Sequence, residues 1–129
     1  MGEVTKLIVA GSRYVEDYDL VSGYIVDRLA GCKTRIEIVS GGAQGVDSIA
    51  EQFAANHELR FKRFPARWNQ HGKAAGPIRN REMAEYADAL LAFPLKESES
   101  KGTRNMIAVA EELGLDVMVC ELSISIVDS

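Results

Sequence analysis

Short apolar runs rich in Ile, Val and Leu alternate with amphipathic segments of three-to-four spacing along the chain. Glycine clusters stand where a run gives way to the next segment. Together these features predict an α/β fold: a Rossmann-like, mainly parallel sheet of about five strands with helices on both faces. The 129 residues, 14.1 kDa in mass, match the commonest size of one domain, so residues 1–129 are read as one unit around one core. No internal repeat, low-complexity stretch or linker divides them.

Leu7 to Ala10 (LIVA) is a strand of buried type that ends in Gly11-Ser12-Arg13. Leu20, Val21, Tyr24, Ile25 and Leu29 then share one face of a helix over residues 16–30, which Gly31 stops. Arg35 to Ser40 (RIEIVS) is the second strand. Past the glycine-rich turn, Val46, Ile49, Ala50, Phe53 and Ala54 mark a helix reaching His57, with Asp47 suited to the dipole of its first turn. Arg60 to Phe64 alternates polar and apolar side chains, as a strand near the sheet edge does, and Pro65 closes it. A long loop follows. Gly76-Pro77 puts proline at the first position of a helix that continues from Ile78 to Tyr86. Ala87 to Phe93 is a continuous apolar strand closed by Pro94. A polar loop, Lys96 to Lys101, leads through Gly102-Thr103 into a helix carrying Met106, Ile107, Val109, Ala110 and Leu113, capped by Gly114. Asp116 to Glu121 is the last strand, followed by a short tail.

Hydrophobic residues are 47% and charged residues 26% of the chain, which excludes a largely disordered or fibrous protein. No apolar run approaches the roughly 20 residues of a membrane helix. The start, MGEVTKLIVAGSR, lacks the order of a signal peptide, so a cytoplasmic protein with no membrane partner is expected. Cys32 and Cys120 belong to no CxxC or Cys/His cluster; both are expected to be reduced core thiols, and no metal site is predicted. The net charge of -4 hides an asymmetry. Residues 60–81 hold seven of the 15 Lys and Arg (60, 62, 63, 67, 73, 79 and 81) and none of the 19 Asp and Glu. Charge so separated predicts an anion-binding surface, against the alternative of a solvated loop paired with acidic neighbours.

Ligands of open parallel sheets bind beyond the carboxyl ends of the strands, near the switch in strand order. The loops that begin there are Gly11-Ser12-Arg13, Ser40-Gly41-Gly42-Ala43-Gln44-Gly45, the basic segment with Lys73 and Gly76, and Lys101-Gly102-Thr103. Glycine lets backbone N–H groups approach a ligand, and a helix start favours negative charge, so these loops predict phosphate binding. They form neither a GxGxxG fingerprint, because Ala43 interrupts it, nor a P-loop, because no Lys-Ser/Thr pair follows. Arg79 and Arg81 suit phosphate oxygens. Trp68 either stacks on a base or plugs the loop, His71 is an acid–base candidate or merely polar, and Asn80 is a helix-start or ligand hydrogen bonder.

The set Gly11-Ser12-Arg13, Ser40 to Asp47 (SGGAQGVD), Phe64 to Trp68 (FPARW), Gly72 to Met83 (GKAAGPIRNREM) and Gly102-Thr103 resembles the YspA/YpsA-related branch of the SLOG superfamily. The resemblance covers nearly the whole chain and implies a Rossmann-like domain. The superfamily includes phosphoribohydrolases of LOG type, the DNA-processing protein DprA, whose SGxAxGxD motif is similar to Ser40 to Asp47, and members regarded as sensors of nucleotide-derived ligands, some near phage or conflict systems. LOG enzymes carry PGGxGTxxE. Here Met106 stands at the glutamate position and no PGG precedes Gly102-Thr103, so the carboxylate that such a mechanism needs would have to come from Asp47 or Glu82. The leading expectation is therefore a sensor or sponge for a nucleotide-like small molecule. Its phosphate would lie on Gly41 to Gly45 and Gly102-Thr103, neutralised by Arg13, Arg79 and Arg81, with Trp68 on the base. A hydrolase or transferase at the N-glycosidic bond is the alternative, and single-stranded DNA binding a third. No cofactor is expected, and a homo-oligomer is.

Overall fold

The computed structural model describes residues 3–123. Five strands, β1 (Val4–Gly11), β2 (Arg35–Ser40), β3 (Arg60–Arg63), β4 (Ala89–Phe93) and β5 (Asp116–Val119), form one sheet in the order β3-β2-β1-β4-β5, all neighbours parallel. Helices α1 (Tyr18–Leu29), α2 (Val46–Asn56), α3 (Trp68–His71), α4 (Ala75–Tyr86) and α5 (Lys101–Glu112) make the crossovers, with a single 3-10 turn over Gly72–Ala74. This is the Rossmann-like α/β architecture expected.

Successive residues of a strand point to opposite faces, and β1 shows the consequence. Leu7 and Val9 join Val21 and Ile25 of α1 and Ile49 and Phe53 of α2 in one core layer. Ile8 and Ala10 join Met83 and Ala84 of α4 and Met106 and Ala110 of α5 in the other. Both faces of β1 are thus covered, which is why LIVA reads as an unbroken apolar run, and each Leu, Ile or Val side chain in it taken from water contributes roughly 1.5–3 kcal/mol.

Boundaries differ from the sequence expectations where polar residues hide pairing. β1 starts at Val4 because Thr5 and Lys6 still pair with Ile36 and Glu37. α1 starts at Tyr18, since the Asp17 carboxylate accepts the Leu20 N–H at 3.0 Å and caps it there. β3 ends at Arg63, but it is an edge strand as predicted, exposed along its length. The expected long loop is partly helical, and α4 begins at Ala75, placing Pro77 at its third position, where the missing N–H is still harmless. β4 starts at Ala89, because the Ala87 N–H caps α4 on Met83 and the Asp88 side chain accepts the Lys6 N–H. α5 takes in Lys101 and Gly102. β5 stops at Val119, after which Leu122 bridges to Leu95. Cys32 is exposed and Cys120 half-buried, so the expectation of two core thiols is corrected: Cys32 follows the turn at Gly31, outside both core layers. Residues 124–129 of the expected tail, and Met1 and Gly2 of the N-terminal reading, lie outside the described residues. Among those described, no helix is long and apolar enough to cross a membrane.

Candidate functional site

From β1 the chain winds outward in one direction to β2 and β3 and in the other to β4 and β5, so the sheet switches order between β1 and β4. A cleft of about 780 Å³ opens at that switch, beyond the carboxyl ends of the strands, and it is large enough for a nucleotide-sized molecule.

The loop after β1 holds the floor together. The Ser12 N–H donates to the Phe93 carbonyl at 3.1 Å, tying β1 to β4, and the Ser12 carbonyl accepts the Val46 N–H at 3.2 Å, tying it to the start of α2. Its hydroxyl accepts the Tyr14 N–H, so Ser12 braces the loop while it lines the cleft together with Gly11, Arg13 and Tyr14. Gly45 passes directly against this turn: with φ +77, a Cβ there would lie 2.3 Å from the Ser12 carbonyl oxygen.

The loop after β2 divides by role. Ser40 donates its hydroxyl hydrogen to Glu51 at 2.8 Å and accepts the Gly42 N–H at 3.0 Å, and Glu51 in turn takes Arg63 Nε at 2.9 Å. Burial works against the Glu51 carboxylate, but the bonds from Arg63 and Ser40 hold it below the ordinary range. Ser40, Gly42 and Gly45 therefore brace the loop from outside the cleft, whereas Gly41, Ala43 and Asp47 line it. Asp47 is 5% exposed and its Oδ2 accepts the Ala43 N–H at 3.3 Å. Burial pushes its carboxyl up to about 6, against the pull of the Ala43 backbone, the Arg79 charge and the Gly41 backbone.

That raised value has a sign that can be tested. Between the ordinary 3.8 and about 6 the folded chain keeps a proton that the unfolded chain has lost, so this group makes stability fall as pH rises through that window. Asp47→Asn removes the titration. Its stability relative to wild type is expected to improve by roughly 2 kcal/mol between about pH 4.5 and about pH 7.5, read from urea unfolding at both. A difference that stays constant with pH would show that Asp47 ionises without cost.

Arg79 enters from α4. Its Nη1 donates to the Gly41 carbonyl at 2.7 Å and the Phe64 carbonyl at 3.3 Å, and its Nε donates to Asn80 Oδ1 at 3.0 Å. Burial lowers its pKa from the ordinary value, while Asp47 pulls the other way. Asn80, 4% exposed, donates on to Gly102 and Asn105 of α5. Lys73, Gly76, Asn80, Gly102 and the buried Thr103 all line the cleft. Trp68 lines it too and is 59% exposed, its ring edge against Gly76, so it sits on the rim and not as a plug in the core.

The structure does not bring Arg81, Glu82 or His71 to the cleft. Arg81 pairs with Glu112 at 3.0 Å and Glu85 at 3.9 Å, and with Glu82 it lines a shallower groove between α4 and α5. Two positions along a helix turn a side chain through about 200°, so Arg79 and Arg81 cannot serve one ligand from one face. The basic segment is likewise not a single surface. Arg60 pairs with Glu37 at 3.6 Å and Arg63 with Glu51, while Lys62 lies over the rings of Phe64 and Tyr86. Lys101, of the predicted Lys101-Gly102-Thr103 loop, lines the cleft, and sequence reasoning missed Tyr14, Ser98, Glu99, Ser100 and Asn105, which line it too. Their signal was positional, since all follow the carboxyl end of β1 or β4. Met106, 1% exposed, sits in the wall.

Four cations (Arg13, Lys73, Arg79 and Lys101) thus face two carboxylates (Asp47 and Glu99) in a chain whose net charge is -4. Lys101 is drawn to Glu99 at 3.3 Å. The starts of α2 and α5 meet the same space, and an anion is what this arrangement attracts. Among the described residues no three His, Cys, Asp or Glu side chains cluster as a metal site.

Comparison with known proteins agrees with this fold. A model of the YAcAr family, described as the YspA, cpYpsA-related SLOG family, matches residues 5–71. The gene 61 protein of Mycobacterium phage D29 is 36% identical over 119 residues, covering 88% of this chain and 94% of its own. The crystal structure of DNA processing protein A (DprA) from Streptococcus pneumoniae superposes with a TM-score of 0.54 at 17% identity. That match covers 89% of this chain, which spans 58% of the DprA chain, and it shows a shared fold.

Proposed function

The chain belongs to the YspA, cpYpsA-related SLOG family, and from that premise we propose that it binds a nucleotide-derived, phosphate-containing small molecule in the cleft at the β1/β4 switch. The observation that carries this reading is the convergence of Arg13, Lys73 and Arg79, from three separate segments, on a cleft that two helix starts also border. Phosphate would lie against Gly41, Ala43 and Gly102-Thr103, and the exposed Trp68 would stack on the base or cover it. In a cytoplasmic sensor or sponge, holding the molecule is the function.

A second reading, hydrolysis or transfer at the N-glycosidic bond, draws support from Asp47. A buried carboxyl at about 6 inside a cleft changes protonation near neutral pH, as a general acid or base must. Binding of single-stranded DNA is the third, and it requires contacts to several phosphates with a steep fall in affinity as salt rises.

One experiment separates them. Purified protein is incubated with nucleoside mono-, di- and cyclic phosphates and ADP-ribose derivatives, freed of unbound material and heated, and the released compound is identified by mass spectrometry. Intact compound on the protein is the expected result. Free base and ribose phosphate in the flow-through would replace the binder with an enzyme, and no retention of any compound alongside salt-sensitive oligonucleotide binding would leave the DNA reading.

A further inference from the structure

Hydrogen bonds through two asparagines fix which end of each amide is which. Arg79 Nε can only donate, so the Asn80 atom that meets it at 3.0 Å is the carbonyl oxygen. The Gly102 carbonyl can only accept, so the Asn80 atom facing it at 3.2 Å is the nitrogen. Both ends of Asn80 are therefore assigned independently and agree. The same nitrogen donates at 2.9 Å to Asn105, whose contacting atom must then be its oxygen. The Asn105 nitrogen is left as a donor with no partner among the described residues. Among the described residues no buried side-chain nitrogen or oxygen lacks a partner, so this one is open to solvent. Asn105 lines the cleft, where the cleft meets the groove between α4 and α5.

Resting on the reading of the cleft as a nucleotide site, we propose that Asn105 is its specificity-determining residue. Its amide nitrogen donates to an acceptor on the ligand beyond the phosphate, a sugar hydroxyl or a base oxygen or nitrogen. Arg79 thus does two things: it supplies charge to the cleft, and through Asn80 it sets the polarity of a group on α5. A neutral donor of fixed direction adds little for bare phosphate in a cleft that already holds four cations. It discriminates strongly between compounds that do and do not carry an acceptor at that point.

The test is Asn105→Asp, which keeps an oxygen for Asn80 and replaces the presented donor with an acceptor. Wild type and variant are titrated calorimetrically with inorganic phosphate, ribose 5-phosphate and a set of nucleoside mono-, di- and cyclic phosphates and ADP-ribose, and their thermal unfolding is compared. The expected result is a loss of about tenfold or more for the sugar- or base-bearing probes beyond any loss for inorganic phosphate, with the unfolding temperature nearly unchanged. The phosphate probe absorbs the general effect of the added charge. A selective loss shared by ribose 5-phosphate assigns the acceptor to the sugar, and one confined to the nucleotides assigns it to the base. Asn105→Ala, which removes the donor without adding charge, should show the same selectivity if the aspartate variant does not fold. Equal losses on every probe, or none, would overturn the role of Asn105 and leave the cleft reading standing. Failure of the wild type to bind any probe would overturn both.

Discussion

Gly45→Ala is expected to lower the stability of the fold by about 3 kcal/mol or more, a fall in Tm on the order of 10 °C for a chain of this size. Two costs add. The backbone at Gly45 has φ +77, which side-chain-bearing residues rarely adopt, and the new Cβ would lie 2.3 Å from the Ser12 carbonyl oxygen and 2.6 Å from the Arg13 backbone. Neither neighbour can yield, because the Ser12 carbonyl holds the Val46 N–H and its own N–H holds Phe93. Gly31→Ala is the matched control: φ is +79 there, yet nothing lies within 4 Å of its Cβ position. That variant should lose only about 1 kcal/mol, from the backbone alone. Chemical denaturation of both reads the difference. Equal losses would mean that the packing of the first two loops against each other contributes nothing beyond backbone geometry.

Arg79→Ala should reduce the affinity for a nucleoside monophosphate by roughly 10- to 150-fold, the range of a lost charged hydrogen bond. It should also destabilise the free protein, because the Gly41 and Phe64 carbonyls lose their donor and Asp47 loses its nearby positive charge. Arg79→Lys keeps the charge but not the planar fork that reaches both carbonyls and Asn80, so its affinity should fall between wild type and Ala. Calorimetric titration checks the order. Unchanged affinity in the Ala variant would confine Arg79 to bracing the loops.

The apolar runs and their periods carried most of the architecture. Arg35 to Ser40 was legible to the residue, because every position of β2 past Ile36 is buried and the next residue is glycine. Starts of helices were less legible, because a first turn tolerates proline at several positions, and Pro77 marks α4 without fixing its first residue. In the site, loops directly following strands were legible from topology alone, which is why Gly11, Arg13, Gly41, Asp47, Gly102 and Thr103 were found. What composition could not show was which charges are already spoken for. Arg60, Arg63 and Arg81 find Glu37, Glu51 and Glu112 only once distant segments meet, and Asn105 gains its meaning only from Asn80.

The parallel sheet also fixes the order in which the site comes into being. β1 sits in the middle, and its second partner arrives late: the Lys6 N–H meets Asp88 across 82 positions. A nascent chain that has emerged only through β3 already holds β1, β2, α1 and α2, enough to begin one core layer, which still waits for Leu91 and Phe93 of β4. Its other face, with Ile8, Ala10 and Val39, waits uncovered for α4 and α5. Pairing over such separations is slow, and a waiting apolar face is where young chains stick to one another. The cleft needs Asn80 on α4 and Gly102 on α5 together, so it forms only after the start of α5 has joined the fold, and a ligand held there can rescue only molecules that have come that far.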